Sequence, residues 1–291
     1  MKGIYTELKD KEIPYLLDFK PDFIWAGRHD EKRLKQLHDV GIKNFRSIGI
    51  FCAQGKVEKQ KHRAINKRRK PIETYQGWYV GLCPTDPEIR SKRLKEIRTA
   101  FNSPYVDGVW LDSIRYPTYW ETPKPKYLDT CYCKRCLSMF QKSGLSWIDY
   151  RIEQIRLFIK EVVKLRNDKI LGYFAVPETD DKLEKVFVQP LKIFKNYFNY
   201  ASPMIYPQMI HRDFIWAQQT VEKFHDVFTK DRVIPIIQLV KMPDDSVDTF
   251  TIEATKILLN TISNLGSVGY FMLGQVLKDK SRIEMVKHFF V

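Results

Sequence analysis

In the stretch "DGVWLDSIRYP", residues 107–117, an apolar run ends on a carboxylate and is followed by an arginine and an aromatic residue. The run Val109-Trp110-Leu111 has the composition of a buried strand, and Asp112 ends it. Because side chains alternate along a strand, Val109 and Leu111 share one face, and Trp110 and Asp112 share the other. A face of Val and Leu suits packing against helices, so we predict that Asp112 points to the axis of a barrel of parallel strands.

Eight short runs rich in β-branched and aromatic residues are predicted strands, and amphipathic stretches typical of helices separate them. The runs cover residues 23–27, 43–51, 77–83, 107–112, 169–176, 200–206, 232–240 and 267–273. Helix starts are marked by Asp86-Pro87 and by Ser146, whereas Pro190 should kink or restart a helix. Alternating strands and helices predict a single-domain (β/α)8 TIM barrel over residues 1–291. A doubly wound open sheet is the alternative, but its glycine-rich nucleotide-binding motif is missing from the sequence.

Catalytic groups of TIM barrels lie at the carboxyl ends of the strands, which makes Asp112 the leading candidate. A carboxylate that is partly desolvated there has a shifted pKa, and Arg115 would keep it ionised. The alternative role of Asp112 is a structural salt bridge with Arg115. Glu178, after the next strand, is the candidate second carboxylate, although it could instead be an acid at the start of the following helix. Glycoside hydrolysis requires such a pair, with Asp112 as nucleophile or base and Glu178 as general acid.

Polar and aromatic residues near the strand ends are candidate sugar contacts. Arg115, Tyr206 and Gln208 would position the sugar, and aromatic rings could stack on its faces or simply belong to the core. The full set of candidate substrate-binding residues is His29, Trp110, Arg115, Tyr116, Tyr206, Gln208 and Gln238.

The long loop after the fourth predicted strand, residues 113–146, contains a C-x-C-x-x-C motif formed by Cys131, Cys133 and Cys136. Zn²⁺ held by three thiolates needs a fourth ligand to complete a tetrahedron. Cys83, which ends the run 77–83, is the candidate for that position, and Cys52 is the alternative. Four thiolates would form one closed structural zinc site that orders the loop. Free cysteines and an iron–sulfur cluster are the other interpretations.

The formal charge of +14 is concentrated in one segment. Residues Lys56–Lys70 hold eight lysines and arginines against one glutamate, which is half of the net charge. Such a segment indicates either a polyanion contact or a solvated basic loop. The chain has no run of about 18 apolar residues, its start lacks a signal-peptide pattern, and its five cysteines do not resemble a secreted disulfide framework. We therefore expect a cytoplasmic protein without a membrane span, and nothing in the sequence indicates its oligomeric state.

Three segments, "DGVWLDSIRYP", "CYCKRC" and "SPMIYPQM", resemble uncharacterised glycoside-hydrolase-like TIM barrels over residues 77–210. The cysteine pattern is similar to the zinc site of family 42 β-galactosidases, and this resemblance implies the ligand set Cys83, Cys131, Cys133 and Cys136. The catalytic pattern is similar to that of the α-amylase clan, which implies Asp112 as nucleophile and Glu178 as acid. That clan has a third acid after strand 7, where this sequence has Gln238.

The leading functional hypothesis is a glycoside hydrolase that acts on an oligosaccharide or polysaccharide. The first alternative is a non-catalytic carbohydrate-binding barrel, in which Gln238 marks the loss of a catalytic acid. The second is a nucleic-acid or polyanion binder that uses Lys56–Lys70, although no aromatic RNA-binding signature accompanies this segment.

Overall fold

The computed structural model describes residues 1–54, 61–75, 79–178, 183–240 and 251–290. The strands of this part of the chain are β1 (Lys2–Thr6), β2 (Phe23–Ala26), β3 (Lys43–Gly49), β4 (Cys52–Gln54), β5 (Tyr79–Gly81), β6 (Gly108–Asp112), β7 (Ile170–Ala175), β8 (Tyr200–Ile205), β9 (Ile236–Gln238) and β10 (Val268–Phe271). Eight of them form a closed parallel barrel in the order β1-β10-β9-β8-β7-β6-β3-β2. The predicted (β/α)8 TIM barrel is confirmed.

Helices connect the barrel strands and pack around them. They are α1 (Ile13–Phe19), α2 (Glu31–His38), α3 (Pro87–Asn102), α4 (Lys134–Ser143), α5 (Trp147–Val163), α6 (Leu191–Phe194), α7 (Phe214–Phe228), α8 (Ile252–Ser263), α9 (Leu273–Val276) and α10 (Lys280–Phe290). Short 3₁₀ turns occupy Asp10–Glu12 and Lys230–Arg232, and a π-helical turn occupies Leu183–Phe187. None of the helices in the described ranges is long and apolar enough to cross a bilayer.

The predicted helix starts are confirmed. The Asp86 carboxylate accepts hydrogen bonds from the Glu88 and Ile89 amides at the start of α3, and Pro87 is the first helical residue. The Ser146 hydroxyl accepts from the Asp149 amide at the start of α5. Pro190 caps α6, so the amphipathic stretch around it does restart there.

One predicted barrel strand is wrong, and one barrel strand was not predicted. The described part of the run 77–83 contains β5, which pairs antiparallel with β4 outside the barrel. In the barrel β3 pairs directly with β6, and the eighth strand is instead β1, which lies between β2 and β10. The sequence of β1, "KGIYT", carries little local strand signal, because a lysine and a glycine begin it. Parallel partners on both sides supply the hydrogen bonds and the burial that stabilise this strand.

The barrel interior is filled by aromatic rings. Phe45 lies 4.6 Å from Trp110, and Trp25 lies 5.2 Å from Phe174, between ring centroids. Glycines of neighbouring strands make room for the two indoles: a Cβ atom at Gly172 would lie 2.2 Å from the Trp110 ring, and one at Gly269 would lie 2.0 Å from the Trp25 ring. The interior is therefore a packed core, and a ligand can reach only the mouth at the carboxyl ends of the strands.

Candidate active site at the barrel mouth

Asp112 lies at the mouth, at the end of β6. It pairs in register with Gly49 of β3 and shares the inner face with Trp110, as the alternation predicted. Burial raises the pKa of the Asp112 carboxyl above its usual value, while the nearby Arg115 charge and hydrogen bonds from Ser113 oppose that rise. Ser113 has a φ of 52°, a left-handed conformation that costs energy for a residue other than glycine. Such strain directly after a half-buried carboxylate is typical of functional sites.

Arg115 follows Asp112 in the chain, acts on it electrostatically and is only 3% exposed. Its Nη1 donates to the Ser113 hydroxyl at 3.3 Å, and its Nε donates to Thr118 Oγ1 at 3.5 Å. Among the ion pairs of the described residues, none within 4.0 Å joins Arg115 to Asp112. A simple salt bridge therefore does not account for Asp112, and Arg115 acts on it through charge and through Ser113.

A second carboxylate, Glu7, lies in the same mouth beyond the end of β1. Its Oε1 accepts from the Tyr5 hydroxyl at 3.3 Å, and its Oε2 accepts from Arg28 Nε at 3.2 Å. A Cβ atom at Gly27 would lie 2.4 Å from Glu7 Oε1 and 2.7 Å from the Tyr5 hydroxyl, so both groups lie over the end of β2. Burial raises the pKa of Tyr5 far above its usual value, and the charges of Glu7 and then Asp112 add to this rise. The Tyr5 phenol therefore contacts Glu7 and also feels the charge of Asp112.

Glu7 and Tyr5 were missed from the sequence because β1 was not predicted. The signal available was the alternation Gly3-Tyr5-Glu7, which places these residues on one face once a strand is assigned there.

Aromatic side chains continue the wall of the mouth from β8 to β1. Tyr206, a predicted sugar contact, stacks between Trp120 at 6.0 Å and Phe271 at 5.8 Å. Tyr5 contacts Phe271 edge-on at 5.1 Å. This side of the mouth is therefore lined mainly by aromatic rings, whereas the side from β1 to β6 carries the carboxylates.

The remaining predicted site residues lie in different environments. Trp110 and Tyr116 are fully buried; the Trp110 indole donates to Ser202 Oγ at 2.9 Å, and the Arg151 guanidinium lies 4.5 Å from the Tyr116 ring centroid. Both rings therefore belong to the core. His29 pairs with Glu31 at 3.1 Å. Gln238 is buried and donates to the Val240 carbonyl. Gln208 lies half-buried beyond β8, and Glu178 lies half-buried beyond β7.

Four cysteine thiols meet on the carboxyl side of the barrel, in the group Cys83, Cys131, Cys133 and Cys136. The Cys83 sulfur lies 3.6 Å from that of Cys136 and 3.9 Å from that of Cys133, and all four sulfurs lie within 4.8 Å of one another. None of them forms a disulfide. A tetrahedron with metal–sulfur bonds of about 2.3 Å has edges of about 3.8 Å. The four sulfurs therefore fit a single tetrahedral metal ion.

Backbone donors support thiolates at this position. The Ile65 amide donates to the Cys131 sulfur at 3.2 Å, and the Cys136 amide donates to the Cys133 sulfur at 3.4 Å at the start of α4. Hydrogen bonds from the Cys131 and Cys136 side chains hold the pKa of the Cys133 thiol well below its usual range. A helix start with anionic sulfur is a favourable arrangement electrostatically.

Cys52, the alternative fourth ligand, lies elsewhere. Its sulfur would be 2.9 Å from a Cβ atom at Gly49, which places it at the mouth beside β6. Burial raises the pKa of this thiol to about 11, and the Asp112 charge contributes to the rise. The structure therefore groups Cys83, and not Cys52, with the three loop cysteines.

The cysteine loop is attached to its surroundings through Asp129. This carboxylate accepts from the Trp147 indole at 2.9 Å and pairs with Lys67 at 2.8 Å. The loop is also shorter than the span 113–146 suggested, because α4 occupies ten of those residues.

The described part of the basic segment makes intramolecular contacts. Lys61 pairs with Glu88, Lys67 pairs with Asp129, Arg63 donates to the Ile72 carbonyl and Arg69 donates to the Tyr132 carbonyl. These cations therefore hold the loops around the cysteine group together. Residues 56–60, the start of the predicted polyanion contact Lys56–Lys70, lie outside the described ranges.

No protein-family model and no curated protein sequence matches the chain. Solved structures do match its fold. The PgaB (BpsB) glycoside hydrolase domain from Bordetella bronchiseptica matches with a TM-score of 0.71 at 14% identity, covering 98% of this chain and 97% of that one. The β-galactosidase from the psychrophilic Marinomonas ef1 matches with a TM-score of 0.70 at 10% identity, covering 99% of this chain and 58% of that one. A chitinase from Chromobacterium violaceum matches with a TM-score of 0.57 at 7% identity, covering 99% and 98%.

These similarities establish the fold. The protein is a (β/α)8 barrel whose structural neighbours are glycoside hydrolases and glycoside hydrolase domains. Its own described features are a half-buried carboxylate at the end of the fourth barrel strand and a group of four cysteines that can hold a metal.

Proposed function

We propose that the protein is a glycoside hydrolase that acts on an oligosaccharide or polysaccharide. The observation that carries this proposal is Asp112, a carboxylate at the mouth of a barrel whose neighbours are glycoside hydrolases. Burial raises the pKa of the Asp112 carboxyl, and the Arg115 charge and the Ser113 hydrogen bonds oppose part of this rise. These are the properties that a catalytic carboxylate requires.

In the proposed mechanism Asp112 is the nucleophile or base, and Glu178 is the general acid. The acid donates a proton to the leaving oxygen as the glycosidic bond breaks, while Asp112 attacks the sugar or takes a proton from the attacking water. Tyr206 and Gln208 are proposed to contact the sugar. Trp110 and Tyr116 are left out of this set because their rings are buried, and Arg115 is assigned to Asp112 rather than to the substrate.

The test is turnover by Asp112→Asn, with chitin oligosaccharides and β-galactosides as the first substrates because two of the fold neighbours are a chitinase and a β-galactosidase. We expect a loss of about 10²–10⁴-fold with the fold intact, the usual effect of removing a catalytic acid or base. Asp107→Asn is a matched control, since Asp107 precedes the same strand at the opposite end of the barrel and its carboxylate accepts from the Asn44 amide. Turnover by Asp112→Asn equal to that of the control would refute the assignment.

A non-catalytic carbohydrate-binding barrel is the second candidate, because Gln238 occupies the end of β9, where the α-amylase clan has an acid. It predicts saturable glycan binding without turnover, and Asp112→Asn would then change only the affinity. Glu178→Gln separates the candidates further, since a hydrolase that uses this acid loses turnover of substrates with poor leaving groups.

We also propose that the cysteine group binds one structural Zn²⁺. Four thiolate ligands leave no open coordination position, so the ion would stabilise the loop after β6 and take no part in the reaction. The resemblance to family 42 β-galactosidases and the sulfur spacing both support zinc.

A further inference from the structure

Glu7 has contacts that its ion pair does not explain. Its partner Arg28 is 66% exposed, and exposed ion pairs contribute little to stability, whereas Glu7 itself is only 25% exposed. The Glu7 carboxylate lies inside the mouth, and one hydrogen bond to each of its oxygens fixes its orientation. Each oxygen can still accept a further hydrogen bond, because a carboxylate has about four acceptor sites.

The strand register places Glu7 at the height of Asp112. If the paired residues are followed from strand to strand once around the closed barrel, the path returns to β1 eight residues away from where it started. This displacement is the shear number of a TIM barrel. The displacement averages about one residue per strand. Asp112 on β6 is therefore level with Thr6 at the end of β1, between Tyr5 and Glu7. The charge effects of both carboxylates on the Tyr5 phenol agree with this placement.

The inner positions between these two carboxylates are glycines. From β1 to β6 the inward residues at this height are Glu7, Gly27, Gly49 and Asp112, because the register continues the inner face from Trp25 to Gly27 and pairs Gly49 with Asp112. A Cβ atom at Gly27 would meet the Glu7 and Tyr5 side chains, and one at Gly49 would lie 2.9 Å from the Cys52 sulfur, so these side chains use the space that the glycines leave. Two strands, β2 and β3, separate the strand of Glu7 from that of Asp112. Aromatic rings line the opposite side of the mouth.

We infer that Glu7 binds the sugar across the mouth from Asp112 by accepting hydrogen bonds from two neighbouring hydroxyl groups. The inference rests on the proposed function only in that the ligand is a glycan, and it does not require turnover. Two oxygens of one fixed carboxylate match the spacing of neighbouring hydroxyls on a sugar ring, so Glu7 would orient the ring while Asp112 faces the reacting carbon. Charge-assisted hydrogen bonds of this kind are among the stronger ones in proteins.

The experiment measures binding of chitotetraose and of lactose by calorimetry in the Asp112→Asn background, where slow turnover does not interfere. For whichever of the two sugars the parent variant binds, adding Glu7→Gln should lower the affinity by about 10–100-fold, as expected for lost charge-assisted hydrogen bonds. Adding Arg28→Gln is the matched control: it removes the ion pair but keeps the carboxylate, and it should change the affinity less than threefold. Circular dichroism and a melting curve verify that each variant is folded.

The outcomes separate the two proposals. If Glu7→Gln binds as tightly as its parent, the sugar-binding role is wrong while the hydrolase proposal stands on Asp112. If Glu7→Gln and Arg28→Gln weaken binding equally, the carboxylate acts only through the ion pair, and the inference is also overturned. A wild-type protein that neither binds nor cleaves any glycan overturns both. Should Glu7→Gln unfold, Glu7→Asp, which keeps the charge and shortens the reach, must reproduce the loss of affinity.

Discussion

Replacing Cys133 with Ser tests the proposed zinc site most directly, because this residue is both a proposed ligand and the cap of α4. Protein purified without chelator should contain about one zinc per chain, and the variant should contain none, since three thiolates leave the tetrahedron open. The Cys83 sulfur lies 3.6 Å from that of Cys136 and 3.9 Å from that of Cys133. These distances match the edges of a tetrahedron around a metal ion, so the ion could bind without rearrangement of the chain.

The stability effect follows from linkage. An ion that binds only the folded chain at a free concentration a thousand times its Kd stabilises by about 4.1 kcal/mol. For a chain of this size, 1 kcal/mol corresponds to about 2 °C in Tm, so removal of the ion should lower Tm by roughly 8 °C. A strong chelator added to the wild type should reproduce that shift, and added Zn²⁺ should reverse it.

Cys52→Ser is the matched control, because Cys52 is a half-buried thiol of the same region that lies outside the cysteine group. It should keep the full zinc content and the wild-type response to chelator. Elemental analysis and thermal melting measure both quantities on the same samples. Zinc-free wild-type protein, or equal loss of metal from the two variants, would refute the site.

Two further predictions concern the barrel itself. Asp112→Asn should raise Tm at pH 7, because ionisation of a carboxylate whose pKa is raised in the folded state destabilises the fold. The gain in Tm should shrink as the pH falls toward the ordinary aspartate pKa of about 3.9. A lower Tm of the variant at pH 7 would contradict this prediction. Gly269→Ala should destabilise by about 1–3 kcal/mol in urea unfolding, because the added methyl would overlap the Trp25 ring, and an unchanged midpoint would show that the ring moves freely.

The fold could be predicted from hydrophobic periodicity because most barrel strands are apolar on both faces. The failures were local. "KGIYT" forms β1 only because β2 and β10 flank it, and "YVG" pairs with β4 because the chain turns out of the barrel after β3. Both errors concern tertiary partners, which a single strand sequence does not encode.

The candidate site could be predicted mostly where its residues lie close together in sequence. Asp112 and the loop cysteines follow from short motifs. Cys83 lies far from them in sequence, but it ends a predicted strand, and the resemblance to family 42 β-galactosidases implies it as the fourth ligand. Glu7 could not be found, since its importance depends on the register that places it level with a residue 105 positions later. The burial of Tyr116 could not be predicted either, because its surroundings include residues from another element, such as Arg151 of α5.

The filled interior limits how a ligand can enter and leave the mouth of the barrel. Aromatic rings from β2, β3, β6 and β7 meet in the interior below the mouth, so nothing can pass along the barrel axis. Under the proposed function, a polymeric glycan would therefore lie across the opening, and both products would leave on the side from which the polymer arrived. The length of glycan that such an enzyme accepts would then depend on the loops at the rim of the mouth and not on the depth of the barrel.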